Sequence, residues 1–125
     1  MKRFLLYLWQ LPQNILGLLV IFFTQAKHAV DIWCTYKYRF GVSLGSYIIF
    51  GGAWYTETDI KHEKGHQKQS QYLGVLYLFV IGIPSAIGNI YDRKAHGNWT
   101  SEERRKWYYS LPWEAWADRL GGVER

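Results

Sequence analysis

His62-Glu63-Lys64-Gly65-His66 reads H-E-x-x-H. On a helix, residues four apart lie on one face, about one turn from each other. Both imidazoles can then reach one tetrahedral zinc, with Glu63 beside it as a general base. The flanks support a helix. Thr56 with Asp59 has the form of a capping box, so the spacing predicts a helix from about Glu57 to Tyr72, stopped by Gly74. Gly65 inside that helix costs about 1 kcal/mol relative to Ala. A close backbone approach by another element would account for it.

Two histidines are half of a site. Catalytic zinc takes three protein ligands and a water. Downstream of His66 the candidates are His96 and the carboxylates. Among the latter, Glu114-Ala115-Trp116-Ala117-Asp118 stands out. Ser110 as cap, Pro112 in a first turn and Gly121-Gly122 as a stop predict a helix there. That helix sets Glu114 and Asp118 on one face. Glu114 can ligate the metal, completing a His62, His66, Glu114 set. Asp118 can accept a hydrogen bond from a ligand imidazole and fix its tautomer. Tyr108 and Tyr109 immediately precede the helix and are the candidate hydroxyl donors to an oxyanion, with packing as their alternative role. His28 and His96 read as surface or core histidines. The pairing also requires the helix near residue 114 to cross the helix near residue 65, with Gly65 as the natural crossing point.

H-E-x-x-H followed by E-x-x-A-D resembles the gluzincin metallopeptidases. It is closest in pattern to the membrane-bound CAAX-type prenyl-protein endopeptidases and stress-induced quality-control peptidases. The resemblance covers His62–His66, Glu114–Asp118 and the order of elements in a chain far shorter than those enzymes. It implies a minimal zincin-like domain in which His62, His66 and Glu114 bind Zn2+ and Glu63 activates water. Asp118 would support a histidine, and the substrate would be a peptide or protein.

The rest of the chain is apolar and aromatic. Its 125 residues suit one domain, 49% of them are hydrophobic, and seven Trp and ten Tyr bring the aromatic share to 18%. Trp and Tyr suit boundaries between apolar and wet surroundings, membrane interfaces included. The net charge of +5 is scattered, without a nucleic-acid motif or a zinc-finger spacing, and fits anionic lipid headgroups better than nucleic acid. The single cysteine, Cys34, excludes an internal disulfide and reads as a structural thiol.

Phe4 to Ala26 is an uncharged run of 23 residues, long enough to span a bilayer. Pro12 should break or kink it, leaving a helix over about 13–25 that spans, lies in the interface or docks on the core. No small-x-small cleavage site follows it. Residues 1–26 therefore read as an apolar membrane-associated or docking segment, and 27–125 as the metallopeptidase domain. In that domain the alternation Thr35-Tyr36-Lys37-Tyr38-Arg39-Phe40 predicts a strand, Gly41 a turn, and Gly45 to Phe50 a second strand. Beside an active-site helix, such a hairpin could hold an extended peptide by backbone pairing. Thr100 with Glu103 predicts a short helix over about 101–109. The expected fold is α+β and mostly helical.

A second uncharged run of 23 residues, Gln69 to Tyr91, lies between the two halves of the site. A single crossing there would strand Glu114 across the membrane from the histidines, because Asp92 to Lys106 is too charged to cross back. The run must turn around near Gly82-Ile83-Pro84, either as a shallow interfacial hairpin or as a core helix. The functional expectation is a zinc-dependent, membrane-associated metallopeptidase on an undetermined side of the membrane; Lys2 and Arg3 favour a cytoplasmic N-terminus if the first run spans. The alternative is a small membrane adaptor, either non-catalytic and zinc-binding or metal-free.

Overall fold

Thr56 starts the helix that carries the H-E-x-x-H stretch. Its hydroxyl accepts from the Asp59 amide at 3.3 Å, and the Asp59 carboxylate accepts from the Thr56 amide at 2.8 Å. This capping box satisfies two donors that the helix leaves open. The structure, a computed structural model, describes residues 2–36, 38, 40–52 and 55–125. In chain order its helices are α1 (Lys2–Trp9), α2 (Leu11–Thr24), α3 (Glu57–Leu73), α4 (Ile83–Ala95), α5 (Ser101–Ser110) and α6 (Pro112–Gly121). A 3-10 turn (Gly74–Leu76) and a π-helical turn (Leu78–Gly82) join α3 to α4. The strands are β1 (Lys27–Ala29), β2 (Ile32–Thr35), β3 (Phe40–Leu44) and β4 (Tyr47–Gly51). The fold is α+β and mostly helical, with one small sheet.

The sheet runs β1-β2-β4-β3, with β2 and β4 parallel and both outer pairs antiparallel. Ile32, Ile48 and Phe50 form its apolar core, with Cys34, Tyr55 and Ile60 packed around them. Cys34, expected to be buried, is half-buried against this core, its thiol 3.2 Å from the Tyr55 hydroxyl. The expected hairpin exists as β3–β4, but its first strand is displaced. Within the aromatic–basic alternation at 35–40, Thr35 ends β2 and Phe40 begins β3, while Tyr36 and Tyr38 lie outside the strands and are exposed. Lys37 and Arg39 lie outside the described residues. Gly41 sits inside β3, and the turn is Gly45-Ser46, where φ of +64° at Gly45 needs the left-handed region. The alternation misled because each strand is too short to show a long period, and the β2–β4 pairing is not local in sequence.

The N-terminal run breaks at Gln10, so that Pro12 falls in the first turn of α2, where no amide donor is required. The second run also turns, but at Gly74–Tyr77 and not at Gly82-Ile83-Pro84. Gly74 has φ of +56°, closes α3, and lets the chain bend by 119° into α4. The backbone stays helical through Gly82 and Ile83. The wider π turn leads into α4, and Pro84 again occupies a first turn. Ser110 is not the cap of α6. Leu111 occupies that position, and the Ser110 hydroxyl donates to the Trp107 carbonyl within α5. Among the described residues no single helix is long and apolar enough to cross a membrane, although the pairs α1–α2 and α3–α4 pass by length and composition as bent units.

α6 crosses α3 at Gly65. A Cβ there would overlap the Ala117 carbonyl, and one at Gly121 would overlap the Lys61 carbonyl. The two backbones therefore touch, which only glycine permits at both points. This crossing brings residue 114 to residue 66.

Candidate metal centre

Five side chains from α3 and α6 converge in the buried interior, His62, His66, Gln69, Glu114 and Asp118. The His62 Nε2 lies 3.0 Å and the His66 Nε2 2.9 Å from the same oxygen, Oε1 of Glu114. The outer ring nitrogens are also held. Nδ1 of His62 lies 2.7 Å from Asp118 Oδ1, and Nδ1 of His66 lies 2.7 Å from Gln69 Oε1. Gln69 donates its own amide to the Trp113 carbonyl at 2.9 Å, which orients its oxygen toward His66 as acceptor. Asp118 is itself gripped by Arg125 through Nε at 2.7 Å and Nη2 at 3.2 Å.

These contacts decide the tautomers. Both outer nitrogens face acceptors and must carry the proton, so both inner nitrogens present lone pairs unless the rings are doubly protonated. Two imidazole lone pairs then face the same carboxylate oxygen, from 3.0 and 2.9 Å. Either protons or a cation must sit between them. Without a cation, burial lowers the His62 pKa, but Asp118 and Glu114 outweigh it and push it up to about 9. His66 is likewise raised, the Glu114 and Glu63 carboxylates overcoming burial. Glu114 is held well below the usual carboxylate range, because the two imidazoles and Ser85 overcome its burial.

Glu63 is buried beside the pair. One ligand atom from each of His62, Glu63 and His66 lies within 4.8 Å of the others, and this group could hold a metal ion. Glu63 and Glu114 are both close enough to supply the carboxylate. Their surroundings differ: Glu114 is fully buried with Oε1 on both imidazoles and Oε2 accepting from Ser85 Oγ at 2.6 Å. Burial, the largest influence on Glu63, raises its pKa, with His66 and His62 pulling the other way.

A cleft of about 600 Å³ opens over the centre. β3, an edge strand of the sheet, forms one wall; α4 and the end of α5 form the other. Tyr77 donates its hydroxyl to the Ser43 carbonyl at 3.2 Å, so Ser43 turns its carbonyl away from β4 and into the cleft. By the two-residue alternation of an antiparallel ladder, Gly41 faces the same way.

Tyr108 and Tyr109 both reach the cleft, in different roles. Ser85 spends its only proton on Glu114, so Tyr108 donates to Ser85, 3.1 Å away, and completes a Tyr108–Ser85–Glu114 chain. Burial and the Glu114 charge raise the Tyr108 pKa, keeping that proton in place. Tyr109 sets its ring edge-on to His62, with the Arg125 guanidinium 3.4 Å above its face. His96 lies elsewhere, its Nδ1 2.8 Å from Asp92 and its ring stacked on Trp99, and His28 is exposed against Trp33.

Gln69, Ser85 and Arg125 are the supporting residues that the motifs do not announce. Gln69 had a signal, since it lies three residues after His66 on the same helix face. Ser85 and Arg125 had none, because only the tertiary fold brings them in. No protein-family model matches the chain, and no curated protein or solved structure matches it either.

Proposed function

We propose that this chain is a zinc-dependent metallopeptidase acting at a membrane surface. The carrying observation is the convergence of His62 Nε2, His66 Nε2 and Glu114 Oε1 with their lone pairs inward, each ring fixed from behind by an acceptor. Two imidazoles and one carboxylate are a donor set suited to catalytic zinc, and the absence of cysteine from the group argues against a structural zinc site. Zinc so bound acidifies water and polarises a carbonyl.

The chain's own residues do the rest. Glu114 is the third ligand, because Ser85 and the two imidazoles fix it and leave it little freedom to move a proton. Glu63 is the general base. Its burial raises its proton affinity toward what the task requires, so its carboxylate can take a proton from the attacking water and pass it to the departing amine. Gly41 and Ser43 on β3 offer backbone groups to an extended peptide along the cleft. Tyr108 and Tyr109 are the candidate oxyanion donors; Tyr108 would have to release the hydroxyl proton it gives to Ser85, so Tyr109 is preferred. Asp118 and Gln69 hold the imidazoles in the ligating tautomer.

The test is hydrolysis of a quenched fluorescent peptide library by the full chain. Turnover should vanish with a zinc chelator and return with stoichiometric zinc; turnover indifferent to both treatments would end this reading. A second expectation concerns Asp118. D118N should weaken zinc binding by about 10–100-fold, because a neutral amide oxygen is a weaker acceptor for Nδ1–H than the carboxylate and supplies no charge to the imidazole. Competition with a chromophoric chelator measures this, and an unchanged affinity would remove Asp118 from the site.

A further inference from the structure

α2 is built inside out. Gln13 and Asn14 are completely buried, whereas Phe22 is 74% and Phe23 69% exposed. The inward polar groups have partners: Gln13 donates to Ser70 Oγ at 2.9 Å and to the Gly74 carbonyl at 2.7 Å, and Asn14 donates to the Tyr7 carbonyl at 2.9 Å. The segment from the π turn through α4 is similar. Tyr77 and Ile81 face inward while Phe79 and Ile87 stand 69% and 60% exposed. Water would penalise this distribution, whereas a hydrocarbon surrounding favours it, with polar groups turned inward and hydrogen-bonded, Gln13 Oε1 excepted.

The two bends also cover each other. At the first, Gln10 accepts from Ser70 at 2.6 Å; at the second, Gly74 lies beneath the Trp9 indole, whose Nε1 donates to the Gln71 carbonyl at 3.0 Å. Irregular backbone at membrane depth is tolerated only when protein covers it in this way. The ends of both uncharged runs carry cations: Lys2-Arg3 and Lys27 bracket the first, Lys68 and Arg93-Lys94 the second. Asp92, the acid nearest these ends, is neutralised by Arg104 at 2.9 Å. Tyr72 and Tyr91 stand exposed just inside the second pair of cations, as interfacial aromatics do.

We propose that α1–α2 and the π turn with α4 form a single seat for one lipid leaflet. The chain dips into that leaflet twice, bends at Gln10 and at Gly74, and each time leaves on the side it entered. Anionic headgroups pair with the flanking cations. Ile83 and Ile90 belong both to this exposed face and to the cleft wall, so the cleft opens at the edge of the leaflet. The inference specifies the membrane association proposed above and is independent of the catalytic reading, since no metal ligand takes part in it.

Two experiments on the full chain test it. The first is flotation with sealed phosphatidylcholine–phosphatidylglycerol vesicles at high salt. The protein should float, and the double variant F22E/I87E should lose at least tenfold in vesicle association while its circular dichroism stays unchanged. Failure of the wild type to float, or a salt-stable dimer that hides the face in lipid-free solution, would overturn the proposal. The second experiment uses Cys34→Ser protein carrying Lys2→Cys, Lys27→Cys or Lys94→Cys in membrane vesicles of expressing cells. An impermeant maleimide should label all three from the same side. Labelling of any one from the opposite side would mean that the chain crosses the bilayer, which the single-leaflet seat forbids.

Discussion

Glu63→Gln should lower peptide hydrolysis by about 10²–10⁴-fold, the usual contribution of a positioned general acid–base group. The substitution preserves size and leaves His62, His66 and Glu114 in place, so metal content should stay at the wild-type level. The loss should therefore appear in kcat with little change in KM, as expected for a group that acts only in the transition state. Turnover and zinc should be measured on the same preparation. An unchanged kcat with full zinc would remove Glu63 from the chemistry.

Gly65→Ala carries the second large effect. It adds one methyl group on the helix that holds both histidines, three residues after His62 and next to His66, on the face turned to α6 and away from the cleft. That methyl would occupy the Ala117 carbonyl, a backbone atom that cannot swing aside. α3 and α6 must separate, at a cost of about 3 kcal/mol or more for a strained insertion in a closely packed interface. A domain of this size holds only about 5–15 kcal/mol of stability, so the loss is a large part of the total. The separation also draws Glu114 and Asp118 away from His62 and His66. Denaturant unfolding should show a lower midpoint with an unchanged slope, and zinc affinity should fall together with stability. Wild-type stability in G65A would mean that the helices do not cross as described.

The helices were legible in the sequence because their signals are local. The capping boxes at Thr56 and Thr100 formed as written, and Gly74 and Gly122 end α3 and α6. Gly65 could be read further, since a helix-weakening residue between two ligands pointed to a neighbour at backbone distance. The sheet was less legible. β2 pairs with β4 although β3 lies between them in sequence, and no periodicity within strands of four or five residues encodes a parallel partner. The second bend was misplaced because Gly82-Ile83-Pro84 carries a stronger breaker pattern than Gly74 alone. The π turn absorbs that pattern, and the breaking conformation belongs to Gly74 under Trp9. The core-helix alternative for residues 69–91 does not stand, because most large apolar side chains of that run are exposed. In the site, the residues of the proposed metal centre share two short motifs and could be read together, whereas Ser85 and Arg125 enter from α4 and from beyond α6.

The central claim is that His62, His66 and Glu114 form one zinc site, with Glu63 beside it and not in it. Zinc stoichiometry by elemental analysis, on wild type, Glu63→Gln and Glu114→Gln after dialysis against a weak chelator, tests it most directly. The account predicts one zinc per chain for wild type and for Glu63→Gln, and loss of retained zinc in Glu114→Gln. Full zinc in Glu114→Gln with none in Glu63→Gln would make Glu63 the ligand, and a wild type that retains no zinc would contradict the account altogether.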